Sequence, residues 1–348
     1  MEAFQSEFAN LIHLCYYTEI YSIKAVPKGM RQYNMGLFFA KNTYKKIIAL
    51  ICAPLLLVSL CSCGNESYVD PHAGMVSVSD GKGGEMWAPL YDDVPMSSFS
   101  ANDFCSDGTY IDYSGTQYTA KRGIDVSEHQ GEIDWQAVRD DGVEFAIIRA
   151  GYRGYSEGKL FEDANFRKNI GGALAAGIQV GVYFFSQAVD IAEATEEAEY
   201  LLNIINGYSL DLPVYFDWEQ VADVGETRVD SVNGTTITDC ALAFCSIIKN
   251  AGLDAGVYFY RSLGYYDYEL DRLTDLIFWV GAPADSPDFY YAHSMWQYSF
   301  TGTVKGIEGG TDLNLMFQEI PASSESSSPS VSPEGVVPPE VTMPSPSE

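Results

Sequence analysis

Asp217 and Glu219, two positions apart in the run Tyr215-Phe216-Asp217-Trp218-Glu219, are the most chemically pointed feature of this 348-residue chain. The apolar, aromatic run that leads into them predicts a strand, and strand residues two apart face the same way with about 6.5–7 Å between Cα atoms. One substrate can therefore meet both carboxyls. Two such groups in a partly desolvated cleft repel when ionised, so one keeps its proton to higher pH than a free carboxyl does. A protonated acid beside an ionised one is the pair that glycoside hydrolysis requires. The first protonates the leaving oxygen, and the second stabilises or attacks the oxocarbenium-like centre. Taken alone, an Asp-x-Glu pair is more often solvated turn chemistry. Two further acids argue otherwise, Asp125 in Gly123-Ile124-Asp125-Val126-Ser127 and Asp312 in Asp312-Leu313-Asn314, because both sit at predicted strand ends.

The elements that must hold these acids follow from the hydrophobic pattern. Apolar or β-branched runs at 123–126, 145–149, 180–185, 214–216, 255–259, 277–280, 294–298 and 312–315 predict eight strands. Helical spacing occupies 134–141, 161–176, 191–205 and 238–251, and each segment runs into a glycine (Gly142, Gly177, Gly207, Gly252) where a left-handed C-cap belongs. After the fifth strand only 265–276 has helical character. Strand and helix in alternation imply a parallel sheet with right-handed crossovers. The predicted fold is α/β, a TIM-like barrel of eight strands with an incomplete helix ring, (β/α)5(β)3; an open doubly wound sheet is the alternative. Chemistry in such a barrel collects at the carboxyl ends of the strands.

The formal charge of −28 excludes nucleic acid as a partner, because the 20 Lys and Arg form no basic stripe. Seven cysteines at 15, 52, 61, 63, 105, 240 and 245 include no C-x-x-C pair and no His at metal-ligand spacing, so no metal site is expected. Cys240 and Cys245 read as small buried hydrophobes. Lys41, Lys45 and Lys46 precede an uncharged apolar run at 47–60, too short for a span of about 20 residues and shaped like a secretory signal. It ends in Leu60-Cys61-Ser62-Cys63, which resembles the lipobox of bacterial lipoproteins, with Cys63 after small Ser62 as the lipidated residue. The domain reading is a non-native extension or misassigned start at 1–34, with the leader beginning near Met30 or Met35, and a lipoprotein signal peptide at 35–63. A flexible tether at 64–118 and a catalytic domain at 119–320 follow, and a disordered Ser/Pro/Glu tail occupies 321–348. The expected location is the bacterial cell envelope, held by the lipid anchor, with the chain acting as a monomer.

Around the acids the sequence resembles glycoside hydrolase family 25, the Chalaropsis-type and endolysin-like lysozymes, over about 122–317. The resemblance rests on RGIDVSEHQGEIDW (122–135), FAIIRAGYRGY (145–155), GVYFFSQA (181–188), PVYFDWE (213–219), GVYFY (256–260), MWQYS (295–299) and GTDLN (310–314). It implies a barrel of eight strands with five helices. It also implies hydrolysis of the β-1,4 bond between N-acetylmuramic acid and N-acetylglucosamine in peptidoglycan glycan strands, with no metal or cofactor. Carried over by motif, Glu219 would be the general acid, Asp217 would orient the 2-acetamido group or stabilise charge, and Asp125 and Asp312 would complete the acidic cleft. Attack by the acetamido group or by water suits the pair equally. Tyr183, Phe185, Tyr258 and Trp296 are candidates for stacking on sugar faces. Arg149 is a candidate partner for a cleft acid or for a structural salt bridge, Gln297 and Asn314 are further substrate contacts, and His129 reads as a rim or turn residue. Gly281-Ala282-Pro283-Ala284 stands where the family pattern leads one to expect a longer polar or aromatic continuation. Two other readings stay open: a chitinase-like hydrolase, although Pro213-Val214-Tyr215-Phe216 fills the places of that motif's extra acids, and a surface lipoprotein that binds glycan without cutting it.

Overall fold

The computed structural model describes residues 70–222 and 224–321. The extension at 1–34, the signal peptide with Cys63, and the tail beyond Pro321 lie outside the described residues. Two antiparallel hairpins come first: β1 (Met75–Ser79) with β2 (Glu85–Pro89), then β3 (Phe104–Ser106) with β4 (Ile111–Tyr113). The barrel region runs β5 (Tyr118–Val126), α1 (Trp135–Asp140), β6 (Phe145–Arg153), β7 (Leu160–Glu162), α2 (Phe166–Ala175), β8 (Gln179–Ser186) and α3 (Ile191–Ile205). It continues through β9 (Val214–Trp218), α4 (Gly234–Asn250), β10 (Ala255–Tyr260), α5 (Arg261–Tyr266), β11 (Ile277–Gly281), β12 (Met295–Gly302) and β13 (Thr311–Glu319).

The eight predicted strands are all present, and they pair into a closed barrel with β7 added outside β6. Parallel pairing runs from β5 through β6, β8, β9, β10 and β11 to β12. β13 then pairs antiparallel with both β12 and β5 and closes the ring, so the sheet is mixed rather than wholly parallel. The short connection at 303–310 explains this, since a parallel return needs a crossover of about a dozen residues or more. Reversal brings the start of β13 to the end where the parallel strands finish, and Asp312 pairs with Asp125 there.

Strand alternation divides the core. Phe145, Ile147, Tyr183, Tyr215, Tyr258, Trp279 and Met295 point inward and fill the barrel. The residues between them, such as Ile148, Val182 and Phe216, point outward and pack against Leu201 and Phe244 of the helices. Burying each such side chain contributes about 1.5–3 kcal/mol before chain entropy is subtracted. Asp134, Asp190 and Asn233 cap α1, α3 and α4 by accepting from the N–H of Ala137, Glu193 and Thr236. Gly142, Gly177, Gly207 and Gly252 take φ between 72° and 96° beyond the helix ends, as the sequence predicts.

Three expectations are corrected. The segment predicted as one helix at 161–176 opens with β7, and α2 begins only at Phe166. Asp163 interrupts it, because its buried carboxylate accepts from Arg149 Nε and from the N–H groups of Glu128 and Asn165. The helical character read at 265–276 belongs to α5, which starts directly at the end of β10, and to a single tight turn at Leu270–Arg272. The flexible tether read over 64–118 does not hold from Asp70 onward. Phe99, Phe104, Tyr113 and Tyr118 gather around Phe317 with ring centroids 4.4–6.2 Å apart, and Phe104 also meets Trp296. Asp112 makes two hydrogen bonds with Arg122, and the Tyr110 hydroxyl donates to Asp141 at 2.6 Å. Polar, Gly-rich composition hid these aromatic anchors, which have no periodicity of their own and gain order only from the barrel wall.

Candidate active site

A cavity of about 410 Å³ opens at the carboxyl ends of the parallel strands, a size suited to a small ligand or part of a polymer. Asp125, Asp312, Asp217, Glu219, Arg149, Tyr183, Phe185, Tyr258 and Gln297 all line it. Eight strands thus converge on one acidic mouth the side chains that lay up to 187 positions apart in sequence, Asp125 and Asp312 being the extremes.

Asp217 lies on β9 in register with Phe185 of β8 and Tyr258 of β10 and is buried. Its Oδ1 has no hydrogen-bond partner among the described residues. Glu219 is the first residue but one beyond Asp217 and sits half-buried just past the end of β9, on the same face. Burial pushes the Asp217 carboxyl well above the usual carboxylate range, and the charge of Glu219 adds to it. Burial likewise raises Glu219, to about 7, with the charge of Asp125 working in the same direction. The pair therefore carries a proton into the neutral range, and that proton belongs to the pair rather than to one residue.

Asp125 and Asp312 form a second acidic pair on neighbouring strands. Asp125 Oδ2 accepts from Gln297 Nε2 at 2.8 Å and from Asn314 Nδ2 at 2.7 Å. Burial raises Asp125, and these two donors oppose the rise by favouring its charged form. Asp312 is raised to about 9 by burial and then by the charge of Asp125. The amides are themselves held: the Tyr258 hydroxyl donates to Gln297 Oε1 at 2.8 Å, and Trp279 Nε1 donates to Asn314 Oδ1 at 2.8 Å. A buried network with both ends satisfied is rigid. Gly281 is part of it, since a Cβ there would lie 2.5 Å from the Tyr258 hydroxyl and 3.0 Å from Gln297 Oε1. Gly281, the first residue of the departure at 281–284, thus leaves room for the Tyr258–Gln297 bond.

Arg149 pairs with Asp163 at 2.8 Å and Glu128 at 3.3 Å, so it takes the structural alternative, although its charge also reaches Asp217 and lowers it. His129 sits at the cavity edge on a short turn, Glu128–Gln130, that Ser127 caps. Two predicted contacts lie elsewhere. Trp296 is fully buried on the outer face of β12 and donates to Ala282 O at 2.7 Å, because Met295 and Gln297 take the inward positions. Asn314 is buried beneath Asp125 rather than facing the cavity.

Sequence reasoning missed Tyr260, Trp279 and Phe300, which also line the cavity. Tyr260 was within reach, two positions from Tyr258 and therefore on the same face. Phe300 was not: register shifts in β12 between Gln297 and Gly302 break the alternation and bring this exposed ring to the rim.

The sequence profile of glycosyl hydrolases family 25 matches residues 124–307, which runs from the end of β5 through β12 and takes in Asp125, Asp217 and Glu219, with β13 and Asp312 beyond it. The chain belongs to glycosyl hydrolase family 25. Within the family, it is 32% identical over 194 residues to the autolytic lysozyme of Clostridium acetobutylicum, an alignment covering 56% of this chain and 55% of that protein. It is 30% identical over 221 residues to lysozyme M1 of Streptomyces globisporus, covering 58% of this chain and 68% of the relative. The solved structure of the modular autolysin LytC from Streptococcus pneumoniae, in complex with a synthetic peptidoglycan ligand, superposes with a TM-score of 0.51 at 26% identity. That match covers 70% of this chain and 57% of LytC. The family 25 chain described here thus spans about half the length of the Clostridium relative.

Proposed function

We propose that this chain is a muramidase that hydrolyses the β-1,4 bond between N-acetylmuramic acid and N-acetylglucosamine in peptidoglycan. The observation that carries this reading is the half-buried Glu219, kept protonated to about pH 7 beside the buried Asp217 at an open cavity with aromatic walls. Glu219 gives its proton to the bridging oxygen as the C–O bond breaks, and the leaving sugar departs as an alcohol. Positive charge grows at the anomeric carbon, where Asp217 stabilises it directly or through the substrate's acetamido group in the form of the pair that carries its shared proton on Glu219. Water then adds its hydroxyl to that carbon and returns a proton to Glu219, which closes the cycle. Asp125 and Asp312 hold the opposite wall acidic, and Phe185, Tyr260 and Phe300 offer ring faces to sugars. The names of the relatives, two lysozymes and an autolysin bound to a peptidoglycan ligand, support the substrate class.

Digestion of purified peptidoglycan and, separately, of chitin tests this, with products reduced and sized by mass spectrometry. Reduced muramic acid ends from peptidoglycan are expected. Chitin oligomers without them would favour the chitinase-like reading, and no new reducing ends from either polymer would favour glycan binding alone.

The export leader and lipobox extend the proposal to location: lipid on Cys63 holds the enzyme at the cell envelope within reach of the wall. Cys63→Ala is expected to move the mature protein from the membrane fraction to the soluble fraction. Unchanged partitioning would remove the lipid anchor from the proposal and leave the hydrolase intact.

A further inference from the structure

Gln187 sits in the loop between β8 and α3 and is completely buried. Its Nε2 donates to the backbone oxygen of Glu219 at 2.6 Å and to that of Ser186 at 2.9 Å. Its Oε1, also buried, has no partner among the described residues. An unpaired buried acceptor destabilises the fold, and an apolar side chain of similar length would spare it that cost. The bonds donated to Glu219 O and Ser186 O offset that cost, and they are what distinguishes the amide from a methionine.

The contact matters because Glu219 stands past the last ladder bond of β9, where nothing in the sheet fixes its backbone. Backbone torsions at 218 and 219 decide where the carboxyl points. Two stitches hold this stretch to the β8–α3 loop: Gln187 on Glu219 O, and Trp218 Nε1 donating to Ala188 O at 3.1 Å. The loop is gripped in turn. Arg228 donates to Gln187 O at 2.9 Å and to Glu193 at 2.8 Å, and the Glu193 carboxylate accepts from the N–H of Val189. On the far side Arg153 binds Glu197 at 2.7 Å and the backbone oxygen of Glu193 at 2.9 Å, which fixes α3 against β6.

We infer that Gln187 is a positioning residue that aims the Glu219 carboxyl into the cleft, with Arg228 and Glu193 holding Gln187 from outside the barrel. Gln187 touches no substrate; it acts through Glu219. The inference rests on the muramidase reading above, and the test separates the two. A shift of about 1 Å in a reacting group far from the altered residue can slow a reaction about 100-fold.

Wild type, Gln187→Met and Gln187→Glu are compared on purified peptidoglycan, with melting temperature recorded for each. Gln187→Met is expected to lower kcat about 10- to 100-fold with KM and melting temperature nearly unchanged. Gln187→Glu is expected to regain activity over Gln187→Met as pH falls, because a protonated carboxyl can donate to Glu219 O as the amide does. A packing role alone gives a recovery that follows the melting temperature of Gln187→Glu, whereas recovery at constant melting temperature marks the donated bond. Wild-type kcat in Gln187→Met, or a loss that tracks a lowered melting temperature, overturns the inference and leaves the muramidase reading standing. Absence of turnover in wild type overturns both. Should Gln187→Met fail to fold, Arg228→Met carries the same test from the partly exposed end of the grip: a fall in kcat at constant KM supports the inference, and unchanged kcat overturns it.

Discussion

Glu219→Gln is expected to lower kcat about 1,000-fold while KM stays close to its wild-type value. The amide keeps the size and most of the hydrogen bonding of the carboxyl but has no proton to transfer, and general acid catalysis contributes roughly 100- to 10,000-fold. A 1,000-fold loss corresponds to about 4 kcal/mol of transition-state stabilisation. The split between kcat and KM is the informative part. In the proposed reading, binding uses the aromatic rim and the Asp125 network, which the substitution leaves in place. Single-turnover digestion of labelled glycan strands, with binding measured separately, reads both quantities. Equal digestion rates for the variant and the wild type would remove Glu219 from the role of acid.

The pH dependence of activity follows from the same residue. As the proposed acid, Glu219 must be protonated to act, and its carboxyl is held up to about 7, chiefly by burial. Activity is expected to hold up to about pH 7 and then to fall about tenfold for each further pH unit. On the acid side it declines when the partner carboxylate takes up a proton, which gives a bell whose limbs belong to the coupled pair. An ordinary carboxyl would place the basic limb between pH 4 and 5. Initial rates measured from pH 4 to 9 at saturating substrate test this, and a basic limb near pH 5 would contradict the burial argument.

Protein stability falls in the same direction as pH rises. Between the ordinary glutamate value and about 7, the folded chain holds a proton on Glu219 that the unfolded chain has released. Stability from this group is intact below that window and is lost as pH rises through it. Glu219→Gln has no charge to bury, so its melting temperature is expected to exceed that of wild type above pH 7 and to match it near pH 4. A gain in stability together with a loss of turnover is the pattern of a site whose acids are held against their own solvation.

Much of this was legible in the residues. Each barrel strand showed as an apolar or β-branched run, and the glycines after α1 to α4 marked the helix ends, because local sterics act on neighbouring residues alone. The Asp217–Glu219 pair showed because strand alternation puts residues two apart on one face, although Glu219 lies just past β9 and its final placement also draws on the β8–α3 loop. Other features needed partners distant in sequence. Trp296 was misplaced because which parity of β12 faces inward depends on its pairing with β11 and β13, and the register shift that exposes Phe300 leaves no mark in composition. The aromatic anchors at 99–118 were hidden inside a polar stretch, since their order comes from contact with Phe317 and Trp296.

By itself the amino-acid sequence determined the kind of barrel, the presence of four acids suited to glycosidic chemistry, and the family those motifs mark. Tertiary structure decided what each acid can do. Reversal of β13 sets Asp312 against Asp125, burial lifts Glu219 to about 7, and Gln187 reaches the backbone oxygen that sits beside the Glu219 side chain. The physical reason is that residue type and spacing follow from covalent order and local sterics, whereas solvation and electrostatic fields depend on groups that only folding brings within a few ångströms.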